Sequence, residues 1–267
     1  MFTQYFGLKF NPFSKEIDEK HLYASSDFKE LESRLEYMKK TRGFFLLTAD
    51  AGVGKTTALR HFTGTLNPSL YRLCYSAISS LTVMDFYRSL VMGMGALPDY
   101  GKIKMFDQLQ RLITISHHEK RVTPVFILDE AQSLSNGILE DLRMIFNFRM
   151  DSENPFIMIM AGHHTVRHRL QLSCHQALRQ RFVGNYHMKG LSRDETNEYL
   201  SSRLKAAGAA DTGIFLESAV ESIAGQSNGS PRIINNIADA ALKLAALKDK
   251  RAIDGDLIYE AARDTEI

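Results

Sequence analysis

The sequence predicts an α/β fold, with a parallel β-sheet flanked by helices and a small all-helical C-terminal domain. Apolar runs rich in strand-forming residues recur at 44–47, 71–78, 125–128, 155–160 and 182–188. Segments of helical periodicity, such as 84–94 and 105–120, separate them. Because strands that alternate with helices favour a parallel sheet, the first two thirds of the chain predict an α/β domain.

After Gly190 only helical patterns follow. Ser192 and Glu195 have the spacing of a capping box, and Ser230 precedes a proline at the start of another helical run. We therefore predict three parts, which are an N-terminal segment at 1–40 packing on the core, an α/β domain at 41–190 and a helical lid domain at 191–267.

Composition narrows the class of protein. The 267 residues are 44% hydrophobic with a formal net charge of +2, so the chain can bury a core and any contact with DNA needs a local basic patch. The two cysteines, Cys74 and Cys174, have no metal-like spacing, and no apolar run approaches the length of a membrane span. These features predict a cytoplasmic protein with no membrane contact.

A glycine-rich string, TADAGVGKTT at 48–57, follows the first predicted strand and opens a helix. Its backbone N–H groups can curl around phosphates, Lys55 can reach the outer phosphates and the Thr56 hydroxyl can ligate magnesium. The full pattern has glycine where this chain has Ala49, and alanine fits there if its φ is negative. The string therefore predicts a working nucleotide site.

A second motif, VFILDE at 125–130, ends an apolar strand with two acids. Asp129 is positioned to hold a magnesium ion, and Glu130 to orient or polarise an attacking water. Either motif alone is weak, but about seventy residues apart in this order they indicate a phosphoryl-transfer site.

The order of these motifs, followed by ALRQRF and then GSPRIINNIADAA, resembles the AAA+ ATPases. The runs YFGLKFNPFSKEID and LYASSDFKELESRLEYMKKTRGFFLL resemble the ExeA/GspA-like group, which includes DNA-transposition helper ATPases of the TnsC, TniB and MuB kind. The resemblance covers nearly the whole chain and implies an AAA+ P-loop NTPase fold, ATP and magnesium as cofactors, and magnesium-dependent hydrolysis of ATP to ADP and phosphate.

The resemblance also implies roles for individual residues. The Walker A region would bind the cofactor through Asp50, Ala51, Gly52, Val53, Gly54, Lys55, Thr56 and Thr57. The metal ligands would be Thr56 and Asp129, and Glu130 would be catalytic. His163 lies where the family has its sensor 1 residue, often Gln in this group.

Further roles concern neighbouring subunits and the lid. Arg181 matches the arginine finger that reaches the nucleotide of an adjacent subunit, with Arg179 as its competitor, and Arg232 resembles the sensor 2 arginine. The N-terminal Asn11, Pro12 and Phe13 resemble a segment near the adenine, or they form a hydrophobic clasp on the core.

Three functions are compatible with such an ATPase. The first is a DNA-transposition regulator that forms a hexameric ring or helical filament on duplex DNA and recruits a transposase or target-selection protein. Its predicted DNA-binding residues are Lys102, Lys104 and Arg88. The alternatives are an ExeA-like secretion-associated ATPase, which the expected absence of a membrane helix disfavours, and a protein-directed NTPase switch.

A histidine pair at helical spacing, His164 and His168, could suggest a metal site. No cysteine, aspartate or glutamate lies near it at ligand spacing in the sequence. The sequence therefore argues against a metal site there.

Overall fold

The computed structural model describes residues 2–14, 21–77 and 82–263. Five strands form one sheet in the order β2-β3-β4-β1-β5, and every pair is parallel. The strands are β1 (Gly43–Ala49), β2 (Tyr71–Ala77), β3 (Thr123–Asp129), β4 (Ile157–Gly162) and β5 (Phe182–Met188). The predicted parallel sheet flanked by helices is confirmed.

The helices begin and end as follows. They are α1 (Phe2–Tyr5), α2 (Ser26–Thr41), α3 (Lys55–Gly64), α4 (Val83–Gly93), α5 (Lys102–Thr114), α6 (Asn136–Ile145), α7 (Thr165–Gln171), α8 (Gln176–Arg179), α9 (Arg193–Ala206), α10 (Glu217–Ser227), α11 (Pro231–Leu247) and α12 (Gly255–Arg263). A π-helical turn, Ile115–Glu119, extends α5, and 3-10 turns lie at Ala131–Ser133, Arg149–Asp151 and Ser173–His175.

The central strands are apolar because both of their faces are covered. Every residue of β1, β3 and β4 is buried, whereas partly buried and exposed residues alternate in the edge strand β5 up to the buried Met188. The buried core on one side of this sheet contains Phe44, Phe126 and Met158 together with helix residues such as Leu142. This core fixes the carboxyl ends of the strands, which carry the predicted chemistry.

The chain divides into two compact units. The sheet unit comprises Glu30–Asp50 and Lys55–Met188, and the helical unit comprises Met1–Lys29, Ala51–Gly54 and Lys189–Ile267. These divisions differ from the boundaries drawn at 40 and 190, because the described N-terminal residues contribute side chains to the core of the helical unit. Phe6 and Phe13 pack there with Leu204 and Ile258.

Polar bonds attach the N-terminal segment to the helical unit. The buried Arg203 of α9 donates from Nε to the Pro12 carbonyl at 2.7 Å and from Nη2 to the Ser14 carbonyl at 3.2 Å. The Asn11 amide donates to Asp239 of α11 at 2.8 Å. Burial lowers the pKa of Arg203, so these carbonyl acceptors compensate for part of the lost hydration.

The start of α9 has the predicted capping box. The Ser192 hydroxyl accepts the Glu195 N–H at 3.2 Å, and the Glu195 carboxylate accepts the Ser192 N–H at 3.0 Å. Pro231 occupies the first turn of α11, as predicted.

Across 2–14, 21–77 and 82–263, no helix combines the length and the apolar character needed to span a membrane.

Candidate nucleotide site

The glycine-rich loop joins β1 to α3, as the sequence predicts. Ala49 is the last residue of β1, is completely buried and does not have a positive φ, so its conformation permits alanine. The Lys55 ammonium donates to the Ala49 carbonyl at 2.8 Å and to the Asp50 carbonyl at 3.0 Å. Lys55 therefore starts α3 with its charge directed back to the end of the strand.

Two glycines of the loop have backbone conformations that favour glycine. Gly52 has φ +81° and Gly54 has φ +114°. A Cβ at Gly52 would lie 2.7 Å from Ser230 Oγ and 2.8 Å from Arg232 Cβ, whereas a Cβ at Gly54 would meet nothing within 4 Å. The Arg232 N–H also donates to the Gly52 carbonyl at 3.3 Å. Backbone proximity therefore brings Arg232, at the start of α11, beside Gly52 within the helical unit.

At the end of β3, Asp129 is a buried carboxylate with three hydrogen-bond donors. Its Oδ2 accepts the Thr56 hydroxyl at 3.2 Å and the Tyr75 hydroxyl at 3.1 Å, and its Oδ1 accepts the Glu130 N–H at 2.9 Å. Desolvation, with the nearby Asp129 carboxylate, raises the pKa of Tyr75. Carboxylate and hydroxyl oxygens suit magnesium, so Thr56 and Asp129 are chemically fit to hold that ion.

Glu130 has a left-handed backbone, with φ 57° and ψ 38°, and an exposed side chain. The side-chain amide nitrogen of Gln132 donates to the Glu130 carboxylate at 2.5 Å. The side-chain amide oxygen of Gln132 accepts a hydrogen bond from the backbone N–H of His163 at 2.9 Å. The Gln132 side chain thus connects the acid after β3 with the first residue after β4.

Gly162, the last residue of β4, makes room for this connection. A Cβ at this position would lie 2.6 Å from the Gln132 side-chain oxygen and 2.9 Å from Val166. Arg169 of α7 donates to the Gln132 backbone carbonyl at 2.9 Å. The segment 130–132 is therefore held both through its side chains and through its backbone.

The two histidines after β4 surround the Asp50 carboxylate. His164 donates from Nδ1 to Asp50 Oδ1 at 2.9 Å, and His163 Nε2 lies 3.4 Å from the same oxygen. The hydrogen bond from His164 lowers the pKa of Asp50. The Asp50 side chain therefore contacts the two histidines, whereas the motif predicts that the Asp50 backbone contacts phosphate.

The two finger candidates have different surroundings. Arg181 is half-buried and donates from Nη1 to the Arg143 carbonyl at 2.7 Å. Arg179 is exposed at the last residue of α8.

Two of the three predicted DNA-binding cations have acidic neighbours. Lys102 lies 2.8 Å from an oxygen of Asp141, and Arg88 lies 2.9 Å from one of Asp85. The Lys104 side chain is exposed. The charges of Lys102 and Arg88 are therefore partly neutralised by these carboxylates.

Two residues of the site have no role in the sequence prediction. Gln132 lies two residues after the motif VFILDE, but nothing in the local pattern says that its amide reaches both Glu130 and His163. Tyr75 occupies an exposed position of β2, and its contact with Asp129 depends on the pairing of Ala77 with Asp129 in the adjacent strand. Strand neighbours are the signal that could have found Tyr75.

The sequence and fold match known proteins over this site. Residues 38–170 match the AAA domain family. The chain is also similar to general secretion pathway protein A of Aeromonas hydrophila, with 33% identity over 267 residues and 98% of this chain covered. The chain spans about half of that relative, namely 48% of its length.

Two solved structures have a similar fold. Cdc6p from Pyrobaculum aerophilum aligns with 95% of this chain and 70% of its own, with a TM-score of 0.68 and 17% identity. Drosophila ORC bound to DNA aligns with 96% of this chain and 64% of its own, with a TM-score of 0.70 and 15% identity. The chain therefore has the AAA+ P-loop NTPase fold, with the AAA domain match over its residues 38–170.

Proposed function

We propose that this chain is a magnesium-dependent ATPase that hydrolyses ATP to ADP and phosphate. The observation that carries the proposal is the buried Asp129 carboxylate, which accepts a hydrogen bond from the Thr56 hydroxyl. The next residue in the chain, Glu130, has an exposed side chain. A metal ligand beside an accessible acid, at the end of a strand next to a glycine-rich loop, is the arrangement that phosphoryl transfer requires.

Each side chain has a distinct task in this mechanism. Lys55 leaves the Ala49 and Asp50 carbonyls to bind the outer phosphates, and Thr56 and Asp129 would hold magnesium. A bound ion would neutralise charge on the phosphates. Glu130 accepts a hydrogen bond from the attacking water and orients it.

Gln132 gives Glu130 a fixed position. Because its amide donates to the carboxylate at 2.5 Å, one carboxylate oxygen is held while the other can accept a proton from water. The same Gln132 bonds the N–H of His163, whose side chain is our candidate for contact with the γ-phosphate or the water.

Glu130→Gln tests the hydrolysis step. We expect ATP turnover to fall by about 100-fold or more while ATP binding is retained, because general-base catalysis contributes on the order of 10²–10⁴. The measurements are steady-state phosphate release and binding of a fluorescent ATP analogue. Asp129→Asn is the comparison, and it should also weaken the dependence on magnesium. Unchanged turnover in Glu130→Gln would refute the role of Glu130.

We further propose that the ATPase serves a secretion system. The support is the 33% identity with general secretion pathway protein A over 98% of this chain.

Regulation of DNA transposition is the second candidate. It is favoured by one fold neighbour, Drosophila ORC, which is bound to DNA in its solved structure. The similar proteins described above include no transposition protein, so a transposase partner has no support from them. The acidic neighbours of Lys102 and Arg88 also weaken the local attraction for DNA phosphates.

Electron microscopy separates the two candidates. The samples are the purified protein with a slowly hydrolysed ATP analogue, with and without duplex DNA, and the same pair with ADP. Nucleotide-dependent oligomers that form equally with and without duplex DNA would support a secretion ATPase that acts on protein partners. Rings or filaments that coat DNA would contradict the secretion proposal and support the transposition proposal. Charge reversal at Lys104 would then test whether this residue contacts DNA.

The arginine finger belongs to the proposed oligomer. Arg181→Ala and Arg179→Ala should differ, because the true finger contributes on the order of 10³ or more to turnover in the assembled state and nothing to nucleotide binding. Turnover is measured at protein concentrations above and below assembly. An equal and slight effect of both substitutions would contradict the assignment of either residue as the arginine finger.

A further inference from the structure

Beyond the nucleotide chemistry, three ligating side chains meet at the carboxyl edge of the sheet. The carboxylate of Asp50 after β1 and the imidazoles of His163 and His164 after β4 offer three ligand atoms that all lie within 4.8 Å of one another. The histidines are 113 and 114 positions from Asp50 along the chain, so only the parallel pairing of β1 with β4 brings them together.

We propose that Asp50, His163 and His164 form a binding site for zinc or a similar divalent transition-metal ion. Two imidazole nitrogens and one carboxylate oxygen are an established three-residue ligand set for zinc, with a fourth position open to water. Imidazole ligands select such ions over magnesium, which prefers oxygen.

The distances are close to those that coordination needs. Ligand atoms about 2.1 Å from a tetrahedral ion lie roughly 3.4 Å from one another. His163 Nε2 is 3.4 Å from Asp50 Oδ1, and His164 Nδ1 is 2.9 Å from it. The Nδ1 proton of His164 now forms the hydrogen bond to Asp50. Metal binding at Nδ1 requires the other neutral tautomer, so this proton moves through solvent to Nε2, and small side-chain rotations complete the site.

Charge makes Asp50 the decisive ligand. Asp50 supplies the anionic oxygen of this cluster, and its carboxylate offsets the charge of the ion. Its side chain is 65% exposed, so a metal ion can reach it from solvent.

A second cluster, His117, His118 and Glu153, has comparable spacing but unfavourable surroundings. The Arg42 guanidinium donates to His117 Nε2 at 2.8 Å, and Arg149 lies 3.2 Å from Glu153. Burial, followed by the charge of Arg42, lowers the pKa of His117, so its environment already disfavours positive charge. The Asp50 cluster is therefore the one that we assign.

The ion would also affect the nucleotide site. A coordinated His163 could not turn toward a phosphate or a water, so zinc should slow ATP turnover. This consequence rests on the proposed ATPase function, whereas zinc binding itself does not.

Binding is tested by titrating the 267-residue chain with zinc chloride in a calorimeter, without nucleotide and with excess magnesium. We expect one site per chain and at least about tenfold weaker affinity in both Asp50→Asn and His164→Ala. His168→Ala and His118→Ala are the matched histidine controls and should bind like the parent protein. Unchanged affinity in Asp50→Asn, or a loss in His118→Ala instead, would overturn the assignment.

Cobalt supplies a spectroscopic check on the identity of the ligands. A Co2+ ion held by these ligands should give the visible absorption of a four-coordinate complex, and the band should disappear in Asp50→Asn. If the band persists in that variant, the ion lies elsewhere and the proposal fails.

Turnover is tested separately with His164→Ala. We expect its basal ATP turnover to match the parent protein and its inhibition by zinc to be at least about tenfold weaker. Equal zinc inhibition of both proteins would overturn the link to turnover. Absence of any turnover in the parent protein would instead contradict the ATPase proposal, and the calorimetry would still decide the binding site.

Discussion

The sheet unit and the helical unit hold their candidate functional residues by different means. In the sheet unit, side chains hold other side chains, as in the hydroxyls of Thr56 and Tyr75 on Asp129 and the Gln132 amide on Glu130. In the helical unit, Arg232 is held beside Gly52 by its own backbone, through the close approach of Gly52 to Ser230 and Arg232.

This difference predicts two kinds of sensitivity to substitution. A side-chain hydrogen bond can be removed one donor at a time, and each removal costs about 0.5–1.5 kcal/mol. The close contact of the Gly52 backbone with Ser230 and Arg232 cannot be weakened in small steps, because a single methyl group added at Gly52 would lie closer than van der Waals distance to their atoms. The sheet unit should therefore respond in small steps and the helical unit in one large step.

Gly52→Ala should give the largest effect. It combines a positive φ with contacts at 2.7 and 2.8 Å, so we expect the free energy of unfolding to fall by about 2–3 kcal/mol in urea titrations. Gly54→Ala is the matched control, because it has a positive φ but no atom within 4 Å of the added Cβ. Equal losses in both variants would mean that backbone strain alone explains the effect.

Gln132→Ala should have an intermediate effect that is confined to chemistry. Glu130 loses the donor that fixes its carboxylate, so we expect kcat to fall by about tenfold while KM for ATP and the melting temperature stay constant. The measurements are steady-state kinetics and thermal unfolding. A fall in melting temperature that parallels the lost activity would indicate a structural role instead of a positioning role.

Tyr75→Phe should have the smallest effect. It removes one neutral donor from Asp129 and leaves two, so we expect about 1 kcal/mol, or roughly fivefold, in the apparent affinity for magnesium and ATP. Tyr71→Phe in the same strand is the control, since it removes a hydroxyl from the same face without touching Asp129. Identical affinities for the two variants would remove Tyr75 from the site.

The sequence predicts those parts of the fold and site that depend on local pattern. All five strands and the helices after Gly190 follow from periodicity and capping signals, and Ser192 caps α9 as its spacing with Glu195 predicts. The glycine-rich loop and the acids Asp129 and Glu130 also lie at strand ends, as predicted. Their proposed roles remain predictions.

The remaining features depend on contacts that local patterns do not encode. Asp50 meets His163 and His164 only because β1 and β4 are neighbours in the sheet. For the same reason, the sequence shows no acidic ligand near the pair His164 and His168. The N-terminal Phe6 and Phe13 look like any aromatic residues that could pack on the α/β core, yet they lie in the core of the helical unit.

The buried Arg203 has a practical consequence for cutting this chain. The AAA domain match begins at residue 38, but the carbonyls that accept hydrogen bonds from Arg203 belong to Pro12 and Ser14. A recombinant fragment that starts at residue 38 would bury a guanidinium without these acceptors and would expose apolar surface on α9 and α12. The edge of a recognisable motif is therefore not a safe place to truncate this protein, and fragments for biochemical work should retain residues 2–14.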